Sequence, residues 1–340
     1  MSLTLGRLET ILEACRGKRI AVVGDLMLDV YMIGSASRLS PEAPVPVVNV
    51  KRSFCKPGGA ANVMLNIVAL GGSVVAFGVR GDDTPGKTLS GLLDKDAIDS
   101  SNVLIDSSRR TTEKQRLLAG NQQLVRMDFE DVTPVSKEML EKLSASLSKL
   151  IHSKSVDAVI FEDYAKGLLS QDFVQPIVDE ARKAGVATTL DPHSGCPMLI
   201  KGLSLLKPNR SESFGLVNAF CKDPVSPVCE DAALLDVSAA ILKTWKPEHL
   251  MITLGAQGIA LFENAKPLVS IPTKAKEVFD VSGAGDTVIA VYTLSLAAGA
   301  SPVEAAETAN YAAGIVVRKI GTATASPEEI VASLKSDSGK

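Results

Sequence analysis

The sequence predicts an α/β fold in three layers, α/β/α, with a mainly parallel central sheet and a small β-sheet lid outside it. Three observations support this: short runs rich in Val, Ile and Leu, longer helical patterns between them, and two polar extended segments. The runs lack strict alternation, as expected of strands buried on both faces. They are Arg19–Asp25, Val74–Val79, Asp157–Glu162, Ala187–Asp191, Leu203–Leu206, His249–Leu254 and Gly258–Phe262.

Helix boundaries can be recognised between these strands. Ser136 precedes apolar residues that recur at helical spacing up to Ile151. The segment Ser301–Glu304 is a capping box with proline at the first helical position, and Gly321 is the expected stop of that helix. The apolar stretch Val288–Ala300 is too short to span a bilayer, so we expect a buried core helix there.

Two segments interrupt the alternation of strand and helix. Residues 31–51 are Pro-rich and extended, and residues 111–128 contain two alternating segments around Gly120-Asn121, which is a hairpin signal. Both are too polar for central strands, so we expect one small flap that acts as a lid. Two unrelated surface excursions are the alternative. No repeat or linker divides the chain, so a single domain over residues 1–340 is expected.

The composition excludes several function classes. The 340 residues are 46% hydrophobic and 22% charged with a net charge of −3, which is unlike a disordered chain or a general binder of nucleic acid or membranes. The three histidines, His152, His193 and His249, form no metal-binding or Ser-His-Asp pattern, so an enzyme base is expected to be a carboxylate. Five cysteines without Cys-x-x-Cys, and no signal-peptide core, predict a cytoplasmic protein.

The segment 81–88 matches the phosphate-loop pattern G-x-x-x-x-G-K-[ST] letter for letter. A phosphate loop surrounds its ligand with backbone N–H groups and has no negative charge of its own. Here Asp82 and Asp83 would place two carboxylates in the cradle, and Pro85 has no N–H to donate. We therefore expect an ordinary turn, with Gly86 and Lys87 near a helix start.

The segment Asp280–Thr287 (DVSGAGDT) is the most informative part of the chain. Its Gly-Ala-Gly allows close approach of the backbone to a ligand, and the N–H groups of the helix that follows form an anion site. Asp286 can then accept the proton of a substrate hydroxyl while these N–H groups stabilise a phosphoryl group in transfer. From the motif alone, a simple helix cap is an equally good reading of Asp286.

Two further segments open helices with polar or glycine residues. Residues 57–62 (PGGAAN) precede a helix that ends near Gly71-Gly72. In the segment 207–212 (KPNRSE), Asn209 and Glu212 are placed to hold a hydrated Mg²⁺ or its phosphates. An ordinary Asn cap with Glu212 completing a capping box is the alternative.

Together these segments resemble the ribokinase family of sugar kinases, also called the phosphofructokinase-B type. The resemblance runs from about residue 18 to about residue 324, and DVSGAGDT is its specific part. The family also has a Gly-Asp-Asp-x-x-Gly turn, which accounts for the false phosphate loop. The resemblance implies a ribokinase-like fold and phosphoryl transfer from ATP to a sugar hydroxyl.

The resemblance also implies roles for individual residues. It makes Asp286 the catalytic base and Gly283, Ala284 and Gly285 the anion hole. The residues implied for the nucleotide and its Mg²⁺ are Asn209, Glu212, Thr253, Gly255, Gly258, Asn310 and Gly314. Of these, Glu212 would act on Mg²⁺ through water. The residues implied to face the sugar are Asp25, Asp29, Gly58, Gly59 and Asn62.

Within the family, three segments look like the D-glycero-D-manno-heptose 7-phosphate kinases: GDLMLDVYMIGSASRLSPEAPVPVVNV, TTEKQRLLAGNQQLVRMD and DYAKGLL. That branch phosphorylates the anomeric hydroxyl and so gives the 1,7-bisphosphate for the ADP-heptose of lipopolysaccharide. Relatives are often fused to a nucleotidyltransferase domain, but no His-x-Gly-His is present, so we expect the kinase alone. Asp191-Pro192-His193 and Lys207-Pro208-Asn209 depart from the branch, which usually has Asp-Pro-Lys and Thr-Pro-Asn.

A phosphorylated sugar requires cations at the rim of its pocket. Lys114, Arg116 and Arg126 lie on the predicted flap and Lys166 follows a strand. Arg126 and Lys166 are the leading candidates for the distal phosphate, and solvated surface charge is the alternative for each.

The expected ligands are a phosphosugar, ATP, Mg²⁺ and a monovalent cation such as K⁺, with no nucleic acid or membrane. Uncovered strand edges on the flap favour a homodimer. Two other functions stay open: a related kinase for ribose or fructose 6-phosphate, and a non-catalytic sugar or nucleotide sensor. The intact Asp286 disfavours a sensor, which needs no base.

Overall fold

Strands and helices alternate along the chain as the sequence predicts. A computed structural model of the protein describes residues 3–120, 122–195, 197–263 and 269–338. Its strands are β1 (Arg19–Gly24), β2 (Leu26–Leu39), β3 (Pro46–Gly59), β4 (Ser73–Arg80), β5 (Asp99–Ile105), β6 (Thr112–Ala119), β7 (Gln122–Phe129), β8 (Ala158–Glu162), β9 (Ala187–Asp191), β10 (Leu205–Leu206), β11 (His249–Thr253), β12 (Ile259–Glu263) and β13 (Val269–Ile271). Its α-helices are α1 (Leu5–Cys15), α2 (Ala60–Ala69), α3 (Thr84–Lys95), α4 (Lys137–His152), α5 (Gln171–Ala184), α6 (Arg210–Leu216), α7 (Ala232–Trp245), α8 (Ala284–Ala297), α9 (Pro302–Val316) and α10 (Pro327–Ser338).

The main sheet has the strand order β13-β12-β11-β10-β9-β8-β1-β4-β5. Its strands from β11 through β10, β9, β8, β1 and β4 to β5 are parallel, whereas β12 and β13 join antiparallel at one edge. All the predicted strands are present in this sheet. The edge strands β5 and β13 were not predicted, because β5 is half exposed and β13 has three residues.

Both faces of the main sheet are covered by helices. Along β1, Ile20 and Val22 pack into one apolar cluster, whereas Ala21 and Val23 pack into another. The first cluster contains residues of α1, α2, α3, α8, α9 and α10, and the second contains residues of α4, α5, α6 and α7. Alternate side chains of a strand point to opposite faces, so the sheet lies between two helical layers. The predicted three-layer α/β/α fold is confirmed.

The two predicted flap segments lie in one small sheet with the order β3-β2-β6-β7. β2 pairs antiparallel with β3 and parallel with β6, and β6 pairs antiparallel with β7. Asn121 of the predicted turn lies outside the described residues. The strands extend beyond the predicted segment 31–51, because β2 starts at Leu26, directly after β1, and β3 reaches Gly59. Only the outer half of β2 is exposed.

The helix starts agree with the sequence, but one predicted stop is wrong. Ser136 caps α4, and Ser301 with Glu304 forms the capping box of α9. α9 ends at Val316 rather than near Gly321, because the Val317 carbonyl accepts the N–H groups of Phe279 and Asp280. Gly321 instead donates its N–H to Asp280. Among the described residues, no helix is long and apolar enough to cross a membrane.

The segment 81–88 is a capped helix start, which confirms the rejection of a phosphate loop. The Asp83 carboxylate accepts the N–H of Gly86 at 2.9 Å and both the N–H and the hydroxyl of Thr111, at 2.8 and 2.6 Å. Lys87 is exposed and pairs with Asp82 at 3.2 Å. The Gly86 N–H of the segment is thus bound to a carboxylate of the chain itself.

This arrangement predicts that two substitutions affect different properties of the protein. Lys87→Ala will leave nucleotide affinity unchanged, because its ammonium lies outside the loop. Asp83→Ala will lower the free energy of unfolding by about 1–3 kcal/mol, because three hydrogen-bond donors lose their acceptor. Chemical denaturation and nucleotide titration check both, with the exposed Asp82→Ala as the matched control. A tenfold or larger loss of nucleotide affinity in Lys87→Ala would restore the phosphate-loop hypothesis.

Candidate active site

The start of α8 is built around a glycine turn. Gly283 caps the helix with a φ of 78°, and a Cβ at this residue would lie 2.5 Å from Nδ2 of Asn62. Only glycine therefore fits here without strain. In the described part of the chain, the N–H groups of Gly285 and Asp286 have no protein acceptor. These two donors point out of the helix start and are available to an anion.

The Asp286 carboxylate is held at both oxygens by distant parts of the chain. The Tyr164 hydroxyl donates to Oδ1 at 2.7 Å, and Nδ2 of Asn62 donates to Oδ2 at 2.7 Å. Burial raises the pKa of Asp286, while the hydrogen bonds from Asn62 and Tyr164 oppose the shift. The side-chain oxygen of Asn62 is buried without a hydrogen-bond partner. This oxygen of Asn62 is therefore an unused hydrogen-bond acceptor beside the Asp286 carboxylate.

The residues expected to face the sugar lie at or next to the base of the small sheet, and of these Asn62 donates to Asp286. Asp29 is buried and accepts a hydrogen bond from Arg116 at 2.6 Å. A Cβ on Gly58 would overlap the Asp29 carboxylate, which is paired with Arg116, so glycine leaves room for this ion pair. Asp25 uses Oδ2 to accept the backbone N–H groups of Tyr164 and Lys166, which fixes the loop after β8.

Gly59 is the cap of α2, the helix that carries Asn62. It has a φ of 57°, and its missing side chain lets the chain pass close to the backbone of Asp25. The structure thus brings together the predicted residues of the sugar side.

A cavity of about 410 Å³ opens beside the start of α8. It is lined by Thr253, Gly255, Ala256, Gly258, Ile259, Thr273, Ala275, Val278, Val281, Ala284, Gly285, Val288, Asn310, Ala313, Gly314 and Val317. Five residues predicted for the nucleotide are in this lining: Thr253, Gly255, Gly258, Asn310 and Gly314. The mostly apolar wall suits a flat aromatic base. Asn310 donates its amide to the Pro272 carbonyl at 2.6 Å and so holds the wall together.

Asn209 and Glu212 form a complete capping box at the start of α6. The Asn209 side chain accepts the N–H of Glu212 at 2.9 Å, and Glu212 accepts the N–H of Asn209 at 2.7 Å. Asn209 also bridges to Thr253 in the cavity wall, so the box lies beside the cavity. The capping-box alternative is confirmed, and a role of the pair toward Mg²⁺ stays a prediction.

Among the described residues, no group of three His, Cys, Asp or Glu side chains could hold a metal ion. The Glu212 carboxylate, which lies near the cavity, is a donor that suits a Mg²⁺ carried mainly by water and phosphate oxygens. Burial raises the pKa of Glu212.

The cations expected at the rim differ in how they are bound. Arg126 is exposed and makes a bidentate pair with Asp128 at 2.8 and 2.9 Å, and Lys166 pairs with Glu130 at 2.9 Å. Lys114 is different, because within the described residues no carboxylate lies at ion-pairing distance from its ammonium.

Lys114 instead lies 5.9 Å from the ring centroid of Tyr164. Burial lowers the pKa of Lys114, and the charges of Lys166 and Arg126 lower it further. The charges of Asp128 and Glu130 oppose this shift of the pKa, but within the described residues neither carboxylate pairs with Lys114, which is therefore the member of the group available to a ligand.

A model of the pfkB family carbohydrate kinases matches residues 18–329, which is most of the chain. The chain belongs to this family. It is an ATP-dependent carbohydrate kinase with a ribokinase-like fold. The glycine turn, Asp286 and the cavity all lie inside the matched range.

Relatives and solved structures agree with this assignment. The Bifunctional protein HldE of Caulobacter vibrioides is 40% identical over 332 residues, which is 96% of this chain and 66% of the relative. That of Coxiella burnetii is 43% identical over 314 residues, 92% of this chain and 62% of the relative. The chain thus spans slightly under two thirds of these relatives.

Among solved structures, Arabidopsis thaliana ribokinase complexed with ribose and ATP aligns with a TM-score of 0.71 at 20% identity. The alignment covers 94% of this chain and 99% of the ribokinase chain. Phosphofructokinase-2 from Escherichia coli in complex with potassium aligns with a TM-score of 0.73 at 20% identity, with the same coverage. At this identity the likeness establishes the fold.

Two residues of the site were missed from sequence. Tyr164 directly follows the buried strand β8 and Asp163, and Lys207 directly follows β10. The signal was their position, because ligands of open α/β sheets bind at the carboxyl ends of the strands. Lys114 was placed on the flap, but its lack of a partner is visible only in the structure.

The hydrogen bond from Tyr164 predicts a change in pH dependence. A base must be ionised, so activity is lost as the pH falls through the pKa of Asp286. Tyr164→Phe removes a donor that stabilises the carboxylate, so the pKa of Asp286 rises further and the acidic limb of the kcat profile moves to higher pH. Above that limb kcat falls by no more than about tenfold, the equivalent of one hydrogen bond.

The matched control is Tyr292→Phe. Tyr292 is buried in α8, and its hydroxyl has no hydrogen-bond partner. Removal of the Tyr292 hydroxyl should leave the pH profile of kcat unchanged. A Tyr164→Phe profile that overlays the wild type would show that the phenol does not act on the base.

Proposed function

We propose that the protein phosphorylates the anomeric hydroxyl of D-glycero-D-manno-heptose 7-phosphate with ATP. The product would be the 1,7-bisphosphate, a precursor of ADP-heptose for lipopolysaccharide. The observation that carries the proposal is the position of Tyr164, whose hydroxyl donates to Asp286 beside the cavity and whose ring lies 5.9 Å from the ammonium of Lys114. The charges of Lys166 and Arg126 also act on Lys114. The identity of about 40% with proteins named HldE supports the choice of sugar.

In the proposed mechanism, ATP lies in the cavity with its phosphates toward the start of α8. The acceptor hydroxyl approaches Asp286 from the small sheet and donates to its carboxylate, to which Tyr164 keeps donating. Asp286 takes the proton as the oxygen attacks the γ-phosphorus in line. The free N–H groups of Gly285 and Asp286 stabilise the negative charge on the phosphoryl oxygens. Glu212 would hold Mg²⁺ through water, and the bound ion would supply positive charge that neutralises the phosphates.

The small sheet is the proposed lid. Its base carries Asp29, Gly58 and Gly59, so closure over the sugar would exclude water from the phosphoryl group. Its outer part exposes apolar side chains, among them Leu39, Val50 and Met127. We propose that a second copy of the chain covers this surface, which would give a homodimer through the lid. A monovalent cation such as K⁺ stays part of the proposal.

Asp286→Asn is the test of the proposed base. The amide cannot accept the proton, so kcat should fall by about 10³–10⁴-fold. ATP affinity should change less than about threefold, because the cavity wall is intact. Coupled detection of ADP measures kcat, and calorimetry measures ATP binding. A variant that keeps a tenth of the wild-type kcat would contradict the assignment of Asp286 as the base.

Lys114→Gln is the test of the distal phosphate. The unpaired ammonium should contribute a charge-assisted hydrogen bond, so KM for heptose 7-phosphate should rise by about 10–100-fold. kcat and KM for ATP should stay near the wild type. Lys51→Gln is the matched control, because Lys51 is an exposed lysine on the same small sheet.

A substrate panel completes this test. Heptose 7-phosphate should exceed heptose, ribose and fructose 6-phosphate in kcat/KM by at least about 10²-fold, the difference that one desolvated charge pair supplies. Equal turnover of heptose without the phosphate would refute the distal phosphate site. Preference for ribose or fructose 6-phosphate would show that the family assignment holds but the proposed sugar is wrong.

A further inference from the structure

A buried lysine lies beside the helix start that carries the proposed base. Lys207 is 2% exposed, and its Nζ lies 2.5 Å from Oδ2 of Asp191. A Cβ built on Gly285 would lie 3.5 Å from this Nζ and 3.8 Å from Oδ2 of Asp191. The glycine therefore leaves open space between the ammonium and the N–H groups at the start of α8. Gly285 also lines the cavity assigned to the nucleotide.

The charge around Lys207 is dominated by carboxyl groups. Glu162, Asp191 and Glu212 all act on it, and Glu162 and Asp191 also act on Asp286. Burial raises the pKa of Glu162 well above its usual range and that of Asp191 to about 6. Burial alone would lower the pKa of Lys207, but the carboxyl groups raise it, so this side chain stays an ammonium.

A cation in this site offsets the repulsion between the carboxyl groups and an anion. A phosphoryl group in transfer carries negative charge on its oxygens, and several carboxyl groups lie around the start of α8. A fixed ammonium in a buried site acts on that charge more strongly than it would in water. Lys207 is held for this by Asp191, which ends β9 as Lys207 follows the neighbouring strand β10.

We propose that Lys207 is a further catalytic residue, whose ammonium contacts the phosphoryl group in transfer opposite the N–H groups of Gly285 and Asp286. Asp191 is its positioning residue. The proposal rests on Asp286 as the base of the proposed function. Lys207 stands where the heptose kinase pattern usually has threonine.

Lys207 neither gives nor takes a proton in the proposed reaction. The sugar oxygen forms a bond to the γ-phosphorus, and the bond from that phosphorus to the β,γ-bridging oxygen breaks. The hydroxyl proton passes to Asp286, and ADP leaves with the electron pair. Lys207 keeps its three protons throughout and stabilises the charge on the phosphoryl oxygens.

The experiment separates catalysis from simple neutralisation of Asp191. It compares Lys207→Met, Lys207→Arg and the double variant Lys207→Met with Asp191→Asn. Lys207→Met leaves a buried carboxylate unpaired and should unfold at a lower temperature. The double variant removes both charges, so its unfolding temperature should return close to the wild type.

Despite this recovery of stability, kcat of the double variant with heptose 7-phosphate should stay about 10²–10³-fold below the wild type, as for loss of one oxyanion donor. KM for both substrates should change little, because the contact is made in the transition state. Lys207→Arg should retain more activity than Lys207→Met, because it keeps a cation. Recovery of kcat in the double variant to within about threefold of the wild type would overturn the proposal.

Binding of a phosphoryl mimic gives a second measurement. Calorimetry with ADP, Mg²⁺, fluoroaluminate and heptose 7-phosphate should show a loss of affinity in the double variant that matches its loss of kcat. Affinity for ADP and Mg²⁺ alone should be unchanged. An unchanged affinity for the fluoroaluminate complex would overturn the contact. Asp286→Asn is measured in parallel: if it is active, the proposed base fails, and if only the double variant is active, Lys207 alone fails.

Discussion

The site depends on the Asp286 carboxylate being fixed by two donors that are far away in the chain. Tyr164 and Asn62 lie 122 and 224 residues from it in sequence, yet each donates a hydrogen bond of 2.7 Å. Tyr164 is placed by the end of β8, Asn62 by the first turn of α2, and Asp286 by the first turn of α8. A slip of the sheet register would separate all three, so the parallel sheet is what orients the base.

The second constraint is the burial of several carboxyl groups where an anion must bind. The chain meets it by giving them cations: Asp29 pairs with Arg116, and Asp191 pairs with Lys207. A buried pair adds little net stability, but each pair removes a negative charge from the space around the substrate. Lys114 and the N–H groups of the α8 turn, which have no carboxylate partner within the described residues, can then meet phosphates, as the ammonium of Lys207 does in the proposed step.

The sequence predicted the fold and much of the site because both depend on local patterns. Apolar runs marked the central strands, and glycine turns marked the residues that line the cavity. The edge strands β5 and β13 were not predicted, since a half-exposed or very short strand has no such pattern. Lys207 could not be assigned a partner from sequence, because its pairing with Asp191 requires that β9 and β10 are neighbours. The contact between Tyr164 and Asp286 could not be predicted either, because it also depends on how distant elements pack together.

The proposed lid is rigid where it meets the site and free only beyond it. β2 starts one residue after β1, and its first six residues are buried. Asp29 ties β2 to β6 through Arg116, and the hydroxyl of Tyr31 accepts the N–H of Thr322. The register with β3 shifts after Ile33, and such a bulge bends a strand. Closure would therefore bend the lid beyond Ile33, so that Asp29 and the base beside it keep their geometry while the outer strands move.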